Sequence, residues 1–264
     1  MSKHILPLIP AHNLYCEPFF GGGAIFFAKP KSEVEVINDL NLFVVNFYEQ
    51  CKTNFDKLDH LIKCTLHSRT SHKQAKVIYD NPEMFSKLRR AWAFYVLCNQ
   101  GFSGAISNSW GYGVAKNKSE LRTKNKRESF LPAIKERLEI VQIERHDAVH
   151  VIKTRDRDNS FFYCDPPYYN ADMAHYAGYT LADFENLLKT LEAIKGKFLL
   201  SSYPSDILAE YAKRNGWYQK SVECRVCVSS KGKRKIEMLT ANYDINALAA
   251  ETPSKTKSKT TSKP

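Results

Sequence analysis

No stretch of this chain approaches the roughly 20 consecutive apolar residues needed to cross a bilayer, and its first residues lack the basic-then-apolar pattern of a secretory signal. A cytoplasmic protein is expected. Acidic residues are in short supply, 28 Asp and Glu against 39 Lys and Arg, for a formal charge of +11. That imbalance favours a polyanionic partner, nucleic acid first, through long-range steering and counterion release. The stretch TPSKTKSKTTSKP (252–264) holds four lysines and no acid; without them +7 remains, so the body of the chain is basic too. A disulfide framework is also missing. The seven cysteines are odd in number and scattered through apolar runs such as FYVLC and FFYC, where they read as reduced small hydrophobes. The CxxC at Cys224 and Cys227 has no second pair or nearby histidine to complete a zinc site, and the alternation in VECRVCV marks a plain strand.

What is present is an interrupted α/β pattern. At 264 residues the chain is long enough for one sizeable core and an inserted or appended small domain. NLYCEPF, GGGAIFFAK, VEVIND and LNLFVVNFYEQ read as strand, glycine turn with helix, strand and helix. From about Cys51 to Ser129 the periodicity is helical and the charge rises. Asn81 and Pro82 suit an N-cap and first helical residue, with Phe85, Leu88, Trp92 and Tyr95 forming a stripe to about Leu97. CNQGFSGAISNSWGYG follows, then KNKSELRTKNKR with six bases and one acid, which reads as an exposed, mobile, DNA-facing surface. The α/β pattern then resumes: a helix near 132–138, a strand LEIVQIE, a short helix after Asp147, and the apolar strand SFFYC. Thr180 and Asp183 open an amphipathic helix as a capping box. KFLLSSY repeats the buried strand, SDILAEYAKRNGW is a helix ending near Gly216, and SVECRVCV with KIEMLTANY forms a closing antiparallel hairpin. A mostly parallel sheet split by a basic helical insertion is expected.

Three short motifs carry chemistry. In EPFFGGG, the glycines after the first strand let the backbone approach a ligand at the carboxyl end of the sheet. Their spacing is neither GxGxxG nor a phosphate loop with Lys-Ser/Thr, which disfavours a dinucleotide or triphosphate; a tight turn alone explains one glycine more easily than three. In INDLN, Asp39 follows the second strand, where an acid accepts from ribose hydroxyls or simply caps the next helix, two readings of equal weight. In FFYCDPPYY, Asp165 is an acceptor at a strand end. Pro166 and Pro167 donate nothing and hold φ near −65°, leaving a carbonyl between them free. Such a rigid pair of acceptors fits an exocyclic amine, and Tyr168 or Tyr169 offers a face on which a planar base stacks. A proline-rich turn would explain the prolines without the acid and the rings together.

Taken in order, EPFFGGG, NDLN and DPPYY resemble the Dam-like (D12 class) N6-adenine DNA methyltransferases of bacterial or phage type. NQGFSGAISNSWGYG, DPPYYNADMAHYAG, LLSSYPSDIL and KIEMLTANY extend the likeness over almost the whole chain. The resemblance implies an α/β fold, a Rossmann-like S-adenosylmethionine-dependent methyltransferase sheet with an inserted, mostly helical target-recognition domain. Its parts would be 1–50 and 130–246 for catalysis, 51–129 for recognition, and a disordered basic tail at 247–264. It implies methyl transfer to N6 of an adenine flipped from double-stranded DNA, without a covalent enzyme intermediate. By the same resemblance Glu17, Pro18, Phe19, Gly21 and Gly23 hold the methionine end of the cofactor, Asp39 its ribose and Asp147 its adenine. Asp165, Pro166, Pro167 and Tyr168 are then catalytic. In the insertion, Lys124 and Arg127 suit phosphates, whereas Asn99, Gln100, Asn108, Trp110 and Tyr112 are suited to reading or wedging bases. A solvated loop and a packed turn are the plainer readings of these two stretches. No sustained coiled coil is evident, and a monomer on DNA is expected.

The chain departs from the family at its start. Where members carry an aromatic and a Gly-Gly-Lys that close over the cofactor, it begins MSKHILPLIPAHNLYCEPF, and Lys3 follows no glycines. This gives a rival reading, a DNA-binding protein with the fold and no turnover. N4-cytosine methylation is another; its enzymes more often carry Ser-Pro-Pro-Tyr, so Asp165 favours adenine.

Overall fold

Short apolar runs bounded by turn residues become the strands. β1 (Leu14–Glu17), β2 (Val34–Asn38), β3 (Gln142–Glu144), β4 (Ser160–Cys164) and β5 (Lys197–Ser202) are parallel, and β6 (Tyr218–Arg225) with β7 (Arg234–Ala241) forms an antiparallel pair. The computed structural model describes residues 1–102, 106, 109–112, 118–130, 132–170, 178–225 and 234–251. Among them the sheet has seven strands in the order β3-β2-β1-β4-β5-β7-β6, with β7 antiparallel to β5 as well. The chain runs outward from β1 through β2 to β3 and returns to place β4 on the other side of β1. Strand order therefore reverses between β1 and β4, the place where open α/β sheets bind ligands beyond their strand ends. This is the mostly parallel, Rossmann-like α/β sheet expected. β3 is shorter than the run LEIVQIE, because Leu138 is the buried last residue of a helix and only Gln142–Glu144 pairs with β2.

Alternation along each strand sends neighbours to opposite faces. Tyr15, Ile37, Phe161, Tyr163, Leu199 and Leu239 face one core, and Cys16, Val36, Phe162, Cys164, Phe198 and Leu200 face the other. On the first face lie α1 (Ser2–Ile5), α2 (Ala24–Ala28) and α3 (Leu42–Thr53), followed by the insertion helices α4 (Phe55–Lys63), α5 (Arg69–Asp80) and α6 (Lys87–Gln100). Phe55, Leu58, Ile62, Ala75, Trp92 and Val96 share that core, so the insertion packs on the same side of the sheet as Tyr15 and Tyr163. α6 begins later than the sequence suggests. Pro82–Met84 is a single 3-10 turn, Phe85 is extended (φ −127°), and Ser86 caps the helix by accepting from the Arg89 amide at 3.3 Å. The described part of KNKSELRTKNKR is not an open loop but α7 (Lys118–Glu128), packed on α4 and α6.

α8 (Ala133–Leu138) returns the chain to the sheet, and α9 (Ala148–Arg155), α10 (Leu181–Ala193) and α11 (Asp206–Asn215) cover the second face. α10 opens with the expected capping box of Thr180 and Asp183. α12 (Ile245–Glu251) runs past the boundary placed at 247, because Asp244 accepts from the Asn246 and Ala247 amides and Ile245 is buried. Residues 252–264 lie outside the described residues, as do Cys227 of the CxxC and Asn108. Cys16, Cys51 and Cys164 are buried free thiols. No helix among the described residues is long and apolar enough to cross a membrane.

A buried ion cluster fastens the return from the insertion. Glu35, opposite Tyr15 in the β1–β2 register, accepts from Lys29 Nζ at 2.6 Å, from the Ser32 amide at 3.1 Å and from both terminal nitrogens of Arg137 on α8. Burial pushes the Glu35 carboxyl up, but the bonds from Arg137 and Lys29 outweigh it and hold the group below its ordinary range.

Candidate active site

β1 ends at Glu17, and the chain must turn sharply to start α2. Gly21 (φ +48°) and Gly23 (φ +60°) take left-handed conformations, and a Cβ on Gly23 would meet the Phe20 ring at 2.4 Å. A Cβ on Gly21 or Gly22 would meet nothing within 4 Å, so the exposed side of the turn is open. Asp39 anchors this turn: its carboxylate accepts from the Gly21 amide and the Asn41 amide, each at 2.8 Å. Burial raises the Asp39 carboxyl, and those two amides oppose the rise. Asn41, rather than Asp39, caps α3 by accepting from the Phe43 amide. The neighbouring Asn38 gathers three loops, donating to the Pro18 carbonyl at 2.9 Å and the His146 carbonyl at 3.0 Å and accepting from the His146 amide at 2.9 Å. Pro18 is buried, and Phe19 is half-buried with its ring edge-on to Tyr179 at 6.3 Å. Asp147 is the exposed N-cap of α9, accepting from the His150 amide at 3.0 Å.

On the adjacent strand the apolar run of β4 delivers Asp165 to the same edge, since Cys16 pairs with Phe162. Asp165 is open to solvent in its cleft yet hemmed in by protein, and this crowding is the first cause of a carboxyl raised to about 6. The Tyr168 hydroxyl donates to Asp165 Oδ1 at 3.1 Å and opposes the rise, while the Glu237 carboxylate on β7 adds to it. Glu17 is more deeply buried, and burial lifts it to about 8; the Tyr15 hydroxyl, donating at 2.5 Å, works against this and Asp165 reinforces it. Pro166 is buried and Pro167 half-buried. The Tyr168 ring lies 4.3 Å from that of Tyr203, and Tyr169 packs on Phe184 at 5.3 Å. Glu17, Asp39 and Asp165 with Tyr168 thus collect around the β1–β4 switch point. Asn38, Tyr203, Lys235 and Glu237 join them without having been foreseen. Glu237 did leave a trace, since the alternation in KIEMLTA puts it on the same strand face as buried Leu239.

The residues named in the insertion fall into two groups. Asn99 donates to the Tyr95 carbonyl at 2.8 Å and accepts from Lys126 at 2.6 Å, buried Gln100 donates to the Leu66 carbonyl at 2.9 Å, and Arg127 donates to the Thr65 carbonyl at 2.6 Å. These three bind the insertion to itself. Lys124 is exposed, 3.7 Å from Glu128. Trp110 and Tyr112 stack at 5.5 Å with the Arg69 guanidinium over both rings and His67 against Trp110 at 5.0 Å. Tyr112, Leu66 and Phe102 are exposed beside them.

The edge suits a cationic nucleoside: open backbone at Gly21 and Gly22, an acid at the end of β2, and two further acids, Glu17 and Asp165, beside it. The model of the D12 class N6 adenine-specific DNA methyltransferases matches residues 1–238. The chain is 27% identical over 269 residues to the type II methyltransferase M1.LlaDCHI of Lactococcus lactis subsp. cremoris, covering 92% of this chain and 91% of that protein. It is 25% identical over 245 residues to the DNA N-6-adenine-methyltransferase of Escherichia phage P1, covering 87% of this chain and 32% of the phage protein. Among solved structures it is similar to the rRNA methyltransferase AviRa of Streptomyces viridochromogenes, with 10% identity, a TM-score of 0.37 and coverage of 93% and 83%. The architecture rests on the strand order above and not on that distant likeness. The chain belongs to the D12 class of N6-adenine-specific DNA methyltransferases, enzymes that methylate adenine in DNA at the expense of S-adenosylmethionine.

Proposed function

We propose that methyl transfer takes place at the edge between β1 and β4, on an adenine flipped out of double-stranded DNA. The observation that carries this is the contact of the Tyr168 hydroxyl with Asp165 Oδ1, beside a glycine turn anchored by Asp39. S-adenosylmethionine, when bound, supplies an electrophilic methyl on a positively charged sulfur. The turn at Gly21 and Gly23, with Glu17, Pro18 and Phe19, would hold its methionine end, Asp39 its ribose and Asp147 its adenine. Tyr168 stacks the flipped base, and Asp165 with the Pro166 carbonyl accepts the two N–H bonds of its amine. Drawing the amine protons toward fixed acceptors aims the nitrogen lone pair and stabilises the positive charge it gains. The helical segment 51–129 would carry recognition, with the stacked Trp110, Tyr112 and Arg69 turned to bases and Lys124 to phosphate. The enzyme would act as a monomer on DNA in the cytoplasm of a bacterial or phage-infected cell.

Purified protein given labelled S-adenosylmethionine and mixed-sequence duplex DNA is expected to place label in N6-methyladenine. Asp165→Ala is expected to abolish the label while DNA retention on a filter is unchanged. Transfer that survives Asp165→Ala would remove Asp165 from the reacting centre.

A further inference from the structure

We propose that Tyr203 and Lys235 brace Tyr168 from behind, fixing the ring face on which the target adenine stacks. The inference rests on the base-stacking role given to Tyr168 above. Three contacts carry it. The Tyr203 ring, on the loop after β5, lies 4.3 Å from the Tyr168 ring at 56°. That separation is within direct aromatic contact and leaves no room for a third ring between them, so a base must use the other face of Tyr168. Lys235 on β7 donates from Nζ to the Tyr203 hydroxyl at 2.7 Å, with its ammonium 5.0 Å from the ring centroid. Asn170, in the loop that carries Asp165 and Tyr168, donates to the Pro204 carbonyl at 3.4 Å and ties the same two loops a second time.

The prolines stiffen the backbone before Tyr168 but leave its χ angles free, and a stacking platform that swings is a poor one. Asp165 holds the hydroxyl end of the ring, and Tyr203 holds its face. Tyr203 is in turn pinned at its far end by a charge-assisted bond, which a phenylalanine could not make. Lys235 and Glu237 are two residues apart on β7 and so share a strand face. Glu237 lies within electrostatic reach of Asp165 and Tyr168. The ammonium thus also tempers a cluster of acids. Tyr203 touches no reacting atom; it is a positioning residue.

The test uses the full chain, labelled S-adenosylmethionine and genomic duplex DNA from a host lacking N6-methyladenine. Tyr203→Ala is expected to lower kcat about tenfold, with KM for the cofactor within about twofold and the melting temperature little changed. Tyr203→Phe keeps the ring and is expected within about threefold of wild type, and Lys235→Met is expected to lose about threefold in kcat. Wild-type kcat in Tyr203→Ala overturns the brace, as does a loss confined to cofactor KM. Should Tyr203→Ala not fold, Lys235→Met decides: wild-type kcat overturns the brace and the threefold loss sustains it. Tyr168→Ala separates the two readings. Full activity in Tyr168→Ala removes the stacking role and the brace together, whereas an inactive Tyr168→Ala beside a fully active Tyr203→Ala removes the brace alone.

Discussion

Glu35 and Glu17 are buried acids on adjacent strands, and their surroundings treat them in opposite ways. Glu35 meets two cations, Lys29 and Arg137, and is held below the ordinary carboxyl range. Glu17 receives the Tyr15 hydroxyl, faces the acid Asp165, and is pushed up to about 8. The first arrangement is internally compensated and joins β2 to α2 and α8. In the second, Lys29 reaches Glu17 and Lys235 reaches Glu237 only through space, and Glu17, Asp165 and Glu237 are all still held above their ordinary values. Acids only partly compensated at a switch point favour a cationic ligand or an amine. Paired charge holds the fold at Glu35; at the strand ends the charge is only partly paired.

The largest test of that contrast is Glu35→Ala. It strands two buried cations and is expected to cost about 3–5 kcal/mol of stability, read as a fall in the urea midpoint. A loss no larger than that of an exposed pair, about 0.2–1 kcal/mol, would show that Lys29 and Arg137 escape to water and that the cluster is not a compensated one. Asp165→Asn should do the reverse. Removing an acid from a crowd of acids is expected to leave the melting temperature at pH 8 unchanged or higher, while kcat falls by about 10²–10³. An Asn enzyme that loses stability would mean that the bond from the Tyr168 hydroxyl to the charged carboxylate outweighs the crowding of acids.

How far these roles were legible depended on what fixed each residue. Asp165 and Asp39 stand where an apolar run ends, and in an α/β sheet the end of a strand is a place in space as well as in sequence. Gly21 and Gly23 were legible because positive φ has few other tenants. Glu35 was not, because Lys29 is 6 residues away and Arg137 is 102 residues away, across the whole insertion. Tyr203 and Lys235 meet only because β7 pairs with β5. In the insertion, Asn99, Gln100 and Arg127 advertise hydrogen bonds by residue type, but type does not name the partner, and the partner is the insertion's own backbone. The start of α6 was misplaced for a related reason: Asn81-Pro82 opens a 3-10 turn as readily as a helix, and the extended Phe85 ends it.

Glu17 provides the next test, through pH. Its folded value of about 8 lies above the ordinary value near 4.5, so between these limits the native state holds a proton that the unfolded chain has lost. The contribution of Glu17 to stability then falls as pH rises through that window, by up to about 1.4 kcal/mol per pH unit for one full proton. Glu17→Gln mimics the protonated acid and can still accept from Tyr15. It is expected to match wild type near pH 4 and to exceed it above pH 7 in the urea midpoint. A variant with the wild-type slope would place the uptake of protons elsewhere.

The smallest effect expected is in the pH dependence of turnover. In the proposed mechanism Asp165 accepts amine protons as a carboxylate, so kcat/KM for DNA should rise with pH through the free enzyme's value of about 6 and level off above it. Because the Glu237 carboxylate helps to raise that value, Glu237→Gln should move the midpoint to lower pH while leaving the plateau within about twofold. The direction matters more than the size. A midpoint that moves up would mean that Glu237 stabilises the Asp165 carboxylate, and the acids at this edge would then be a hydrogen-bonded network in place of a field of like charges.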